Sequence, residues 1–124
     1  MQNQISGRII LSAIEVHRTL GPGLLESAYE KCLCHELSLN GIFFEQQVSL
    51  PVHYKGLELD CGYRMDLVVE KKVVLELKFV SRIEPIHEAQ LLTYLNLSDL
   101  KLGLLLNFNV PVMKNGIKRI VNNL

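Results

Sequence analysis

Tyr63-Arg64-Met65-Asp66-Leu67-Val68-Val69-Glu70-Lys71-Lys72-Val73-Val74-Leu75-Glu76-Leu77-Lys78-Phe79 is the stretch that decides how the chain reads. Two β-branched and leucine-rich runs, Arg64–Val69 and Val73–Phe79, flank the charged tip Glu70-Lys71-Lys72. That pattern predicts a β-hairpin. Side chains alternate along a strand. Met65, Leu67, Val69, Val73, Leu75, Leu77 and Phe79 therefore share an apolar face, and Asp66, Glu76 and Lys78 share the other. An odd-length tip pairs Val69 with Val73 and sets Asp66 opposite Glu76. Directly opposed residues have Cβ atoms about 4.5–5.5 Å apart, a separation at which two carboxylates repel. A divalent cation between them would remove that penalty.

Downstream, Pro85 suits a first helical turn with Glu84 before it. Ile86, Ala89, Gln90, Thr93, Tyr94 and Leu97 then follow helical spacing. Leu100–Phe108 contains Leu104-Leu105-Leu106, apolar on both faces, as in a central strand covered on both sides. A strand, a helix and a strand in one sheet imply a right-handed crossover. Val73–Phe79 and Lys101–Asn107 are then parallel neighbours. Val110-Pro111 breaks the run, and Gly116–Val121 reads as a last strand.

Upstream, residues from about Ser6 to Leu20 read as a helix, with Ile10, Ala13, Ile14 and His17 in one stripe. Gly21-Pro22-Gly23 ends it. A second helix runs from about Leu25 to Leu39, with Leu25, Ala28, Tyr29, Cys32, Leu33 and Leu37 on one face, and stops at Asn40-Gly41. Glu26 lies in its first turn, where a carboxylate complements the helix dipole. Ile42–Leu50, Val52–Tyr54 and Leu57–Asp60 read as strand pieces, the last two around the two-residue turn Lys55-Gly56. With the hairpin they imply an antiparallel meander.

With 124 residues the chain reads as one domain, 1–124, large enough for a real core. Its 48% hydrophobic and 21% charged residues are ordinary for a globular protein. No apolar run approaches the roughly 20 residues that span a bilayer, and the first residues lack a secretory pattern. Cys32, Cys34 and Cys61 cannot all pair within the chain, and fit reduced thiols in the cytoplasm. The formal net charge is zero. That argues against a high-affinity, non-specific nucleic-acid binder, which is usually basic. It leaves room for an enzyme that holds nucleic acid locally and briefly.

Asp66, a short gap and Glu76-Leu77-Lys78 resemble the Asp…(Asp/Glu)-X-Lys motif of the PD-(D/E)XK nuclease superfamily. Met65 stands where the name-giving proline would be. Gly23-Leu24-Leu25-Glu26-Ser27-Ala28-Tyr29 matches G-x-x-E-x-x-Y, the marker of the prokaryotic GxxExxY family within that superfamily, and Val16–Glu26 is similar to the same family's N-terminal block. Gln90-Leu91-Leu92-Thr93-Tyr94 matches the Gln-x-x-x-Tyr pair that sits beside the active site in many members. The resemblance covers nearly the whole chain. It implies a restriction-endonuclease-like α/β fold, a central mixed sheet flanked by helices, in the order α-α-β-β-β-β-α-β-β.

It also implies hydrolysis of phosphodiester bonds in nucleic acid, DNA before RNA, by a metal-activated water. Asp66 and Glu76 are hard oxygen ligands suited to Mg²⁺ or Mn²⁺. By the same resemblance the Leu77 carbonyl is a further ligand, and Glu26 completes the acidic cluster directly or through water. Lys78 orients the attacking water and stabilises the transition state, Gln90 holds the lysine or a phosphate oxygen, and Tyr94 and Tyr29 support the site. No membrane partner is expected, and a homodimer is one way for so small a nuclease to cut both strands. The alternative is a catalytically silent relative acting as a binding or assembly module. Cys32, Cys34 and His35 lack zinc spacing, and His87 alone of the scattered histidines could approach the site from the third helix.

Overall fold

The computed structural model describes residues 2–122. The elements are α1 (Gln2–Leu20), α2 (Glu26–Leu39), β1 (Phe44–Ser49), β2 (Val52–Tyr54), β3 (Leu57–Leu59), β4 (Arg64–Val69), β5 (Val73–Lys78), α3 (Pro85–Ser98), β6 (Leu102–Asn107) and β7 (Ile117–Val121). A single 3-10 turn, Met113–Gly116, precedes β7. Two helices, a run of strands, a third helix and two strands follow one another as expected; the run before α3 holds five strands, one more than the four of the expected order, and they are the pieces read from the sequence. Five strands form a mixed sheet ordered β1-β4-β5-β6-β7. β5 and β6 are parallel, as the crossover through α3 requires, and the other neighbours are antiparallel. β2 and β3 pair only with each other, as a ribbon turning at Lys55-Gly56.

Both faces of the sheet are covered. Ile9, Ala13 and Val16 of α1 and Tyr29, Leu33 and Leu37 of α2 pack against Leu67, Leu75, Leu104 and Leu106. Leu91, Tyr94 and Leu95 of α3 pack against Val68, Val74 and Leu105 on the other side. The alternation of Leu104, Leu105 and Leu106 between these two clusters is the strand period itself. Fully burying one such side chain stabilises by about 1.5–3 kcal/mol. Gly103 lets α3 approach β6: a Cβ there would lie 2.9 Å from the Leu91 side chain.

Several faces differ from the sequence reading. The buried stripe of α1 is Ile9, Ala13 and Val16, one residue round from Ile10 and Ile14, because the helix meets α2 as well as the sheet. His17 is buried as expected, with Nε2 2.7 Å from the Val110 carbonyl. On α2 the buried line is the narrow Tyr29, Leu33, Leu37 repeat, while Leu25 and Cys32 face solvent. Met65 joins the α3-side cluster rather than its expected partner Leu67, so the alternation along β4 breaks around Asp66. On α3 Ile86 is 70% exposed, and the sheet-facing residues are Leu91, Tyr94 and Leu95.

Candidate active site

The β4–β5 hairpin changes character along its length. Near the tip its backbone pairs regularly: Val69 with Val73, Val68 with Val74, Leu67 with Leu75. The next pair in that register is Asp66 and Glu76, as the odd-length tip demands. There the carboxylates take over the ties between strands. The Asp66 N–H donates to Glu76 Oε2 at 2.9 Å, and the Leu77 N–H donates to Asp66 Oδ2 at 2.8 Å. Two acids thus sit side by side at a fork in the sheet, Asp66 half-buried and Glu76 only 5% exposed.

Their titration reflects that crowding. Burial raises the Glu76 carboxyl, and the Asp66 charge raises it further, to about 7. The Asp66 N–H and the Lys78 charge oppose the rise. Burial raises Asp66 as well, against the Leu77 N–H that lowers it. Lys78 is half-buried at the end of β5 and acts on both carboxylates through space. The ion pairs among the described residues, Arg18–Glu15, Arg82–Glu84 and Lys118–Glu88, do not include it. The chain leaving Lys78 is clamped. Buried Asn107 donates to the Val80 carbonyl at 2.9 Å and accepts the Val80 N–H at 3.2 Å, and the Phe108 N–H bonds the Lys78 carbonyl at 3.1 Å.

The acid that α2 brings to the fork is Glu30. It raises the carboxyls of both Asp66 and Glu76. Gln46 and Gln47 of β1 donate their amides to Glu30 Oε2 at 3.2 and 3.4 Å, and the Gln47 amide also acts to lower Asp66. Glu26 is exposed in the first turn of α2 and is not among the charges acting on either acid. One helical turn separates the two glutamates, and only the second reaches β1. The sequence signal for Glu30 is its place beside the core residue Tyr29. Gln47 was legible as the residue that the β1–β4 register sets against Asp66, once Gln46 faces Leu67.

Tyr29 itself belongs to the core. Its ring stacks on Phe108 at 4.8 Å, and its hydroxyl donates to the Gly21 carbonyl and accepts the Leu24 N–H, fixing the turn between α1 and α2. His87 is a helix cap: its Nδ1 accepts the Glu84 N–H at 2.8 Å. Tyr94 is buried beside the fork, its hydroxyl raised by burial and then by Glu76, Tyr63 and Asp66. Gln90 is exposed, one turn before Tyr94. Together with Val52, Tyr63, Thr93 and Leu97 they line a cleft of about 350 Å³. The helical stripe read from the sequence on α3 is largely the wall of this cleft rather than core.

Among the described residues no three His, Cys, Asp or Glu side chains are grouped so as to hold a metal ion alone. The fork therefore offers the carboxylates of Asp66 and Glu76 as a pair. A family model of the PD-(D/E)XK nuclease superfamily matches residues 3–120. With the mixed sheet, the flanking helices and the Asp66…Glu76-Leu77-Lys78 hairpin in place, the chain belongs to that superfamily and has its restriction-endonuclease-like fold. No curated protein and no solved structure matches it. No helix among the described residues is long and apolar enough to cross a membrane.

Proposed function

We propose that this chain is a metal-dependent nuclease of the GxxExxY type that hydrolyses phosphodiester bonds in DNA. The observation that carries the reading is the fork itself: two carboxylates forced together, both raised by burial, with Lys78 two residues beyond Glu76. Magnesium is usually held by one or two carboxylates plus waters and substrate phosphate oxygens, so a pair of acids without a third fits Mg²⁺ or Mn²⁺. Asp66 and Glu76 would hold the ion, with the Leu77 carbonyl as the backbone ligand. When bound, such a cation supplies polarisation of the phosphate and a more acidic water.

The chain's own groups do the rest. Lys78 aims its ammonium at the attacking water and the charge that grows on the phosphate. Gln47, its amide tied to Glu30, orients Asp66 from the β1 side, and Glu30 stands nearest the place that the sequence reading gave to Glu26, an acid completing the cluster. Gln90 offers an amide to a phosphate oxygen, and Tyr94 shields the carboxylates from solvent. The neutral net charge favours one competing reading, a silent assembly module. The test is cleavage of DNA by purified protein with Mg²⁺ or Mn²⁺, with calorimetric Mn²⁺ titration alongside. Cleavage and Mn²⁺ binding should both vanish in Asp66→Ala and Glu76→Ala. Cleavage that survives Asp66→Ala would assign the activity to a contaminant.

A further inference from the structure

The cleft beside the fork has the chemistry of a nucleobase site. One wall is aromatic: Tyr63 is 46% exposed, and its ring lies 6.4 Å from that of Tyr94 at 59°. Val52 and Leu97 supply apolar walls, and the exposed Gln90 amide and Thr93 hydroxyl stand at the rim. An amide has an acceptor and two donors, enough to meet the edge of any base. The volume, about 350 Å³, is at the small end of ligand sites. The cleft lies on the α3 side of the fork: Tyr94, which lines it, packs in the same buried cluster as Met65, the chain neighbour of Asp66. The Tyr63 ring is carried on a fixed backbone, its carbonyl accepting the Leu50 N–H at 3.0 Å.

Two further features select the occupant. The chain has no net positive charge, whereas grip on continuous duplex depends on many phosphate contacts. Stacking on an aromatic ring adds binding that is not electrostatic, and an unpaired base can supply it where a base stacked within a duplex does not. The β2–β3 ribbon leads away from the cleft at Val52 and presents the exposed Tyr54 ring with the Lys55 ammonium 5.3 Å from its centroid. A second aromatic face beside a cation suits the next nucleotide of a single strand.

We infer that the cleft holds one unpaired base of a DNA strand whose backbone crosses the Asp66–Glu76 fork, so that the substrate is single-stranded or locally unpaired DNA rather than continuous duplex. This rests on the hydrolytic reading for its biological sense, but its binding test does not. The probe is a single-stranded deoxyoligonucleotide carrying 2-aminopurine, against the same sequence as a blunt duplex, both titrated with Ca²⁺ in place of Mg²⁺. The single strand should bind at least about tenfold more tightly. Tyr63→Ala should weaken it by about tenfold, the scale of one lost base–aromatic stack, and Tyr63→Phe should not. Thr93→Trp, on the exposed surface of α3, should fill the cleft and act like Tyr63→Ala. Equal affinity for duplex, or wild-type binding by both Tyr63→Ala and Thr93→Trp, overturns the inference while leaving hydrolysis to its own assay. Tyr63-dependent binding with no cleavage under any divalent cation upholds the base site and removes the nuclease reading. A dimer in sedimentation that Tyr63→Ala dissociates gives the cleft to a second copy and also overturns it.

Discussion

The two ends of the β4–β5 hairpin meet within one residue on each strand and obey different rules. At the closed end Leu67 and Leu75 are fully buried and their backbones pair residue by residue. At the open end Asp66 and Glu76 replace backbone partners with their own carboxylates. The closed end gains stability from every group it buries. The open end spends some of it, because two acids held in a partly dry site are less comfortable than in water. The difference teaches where function sits: a sheet that pairs perfectly has no free oxygen to offer a cation.

Substitutions at the two ends should therefore fail in opposite ways. Leu75→Ala should lower stability by about 2–5 kcal/mol, as a cavity in a packed core does, read as a shift in the urea midpoint. Cleavage per folded molecule should change little. Asp66→Ala should lose at least about 10²–10³-fold in hydrolysis, the scale of removing one preorganised polar group, with the urea midpoint near wild type or above it. If Asp66→Ala unfolds the protein as Leu75→Ala does, the fork is structural.

The pH dependence should sharpen the contrast. Glu76 holds its proton more tightly folded, near 7, than at its ordinary value of 4.5. The folded state thus binds more protons between those values, and metal-free stability falls as pH rises through the window. At about 1.4 kcal/mol for each tenfold in proton affinity, the loss reaches up to about 3 kcal/mol. Glu76→Gln should flatten the curve from about pH 5 to pH 8. At about 100 times its Kd, Mn²⁺ should restore about 2.7 kcal/mol to the wild type and nothing to Glu76→Gln. A wild-type curve that rises with pH would reverse the sign assigned to burial. Glu30→Gln should cost less, about 10–100-fold in activity, as loss of a group that orients a ligand does. It should also move the acid limb of the pH profile to lower pH, because Glu30 raises both acids.

The closed end was fully legible in the sequence, since alternation and an odd-length tip fix register without knowledge of the fold. The acids at the open end followed from the same arithmetic. The rest of the site did not, for a physical reason. Glu26 and Glu30 are equivalent on a helix until one knows which turn of α2 passes β1, and that depends on how Tyr29 stacks under Phe108. Gln90 and Thr93 share helical spacing with core residues, and only the packing of Leu91 against Gly103 turns them toward a cleft. Local period gives faces; the choice between core and cleft is made by neighbours distant in the chain.

The smallest predicted effect separates two residues in the same unfavourable conformation. Lys71 at the tip and Gln47 beside the fork both have left-handed backbones, with φ of 55° and 50°. At Lys71 the hairpin turn demands it, since Glu70 is left-handed too and the Lys72 N–H closes the turn on the Val69 carbonyl at 3.0 Å. Glycine adopts this conformation without penalty, so Lys71→Gly should raise stability by about 0.5–1 kcal/mol and leave hydrolysis alone. Gln47→Gly should bring the same relief and yet reduce activity, because its amide bonds Glu30 and acts on Asp66. Strain that can be removed without cost belongs to the turn, whereas strain that takes activity with it when relieved belongs to the site. Equal, harmless stabilisation by both substitutions would place Gln47 with the scaffold and leave the Leu77 N–H to orient Asp66.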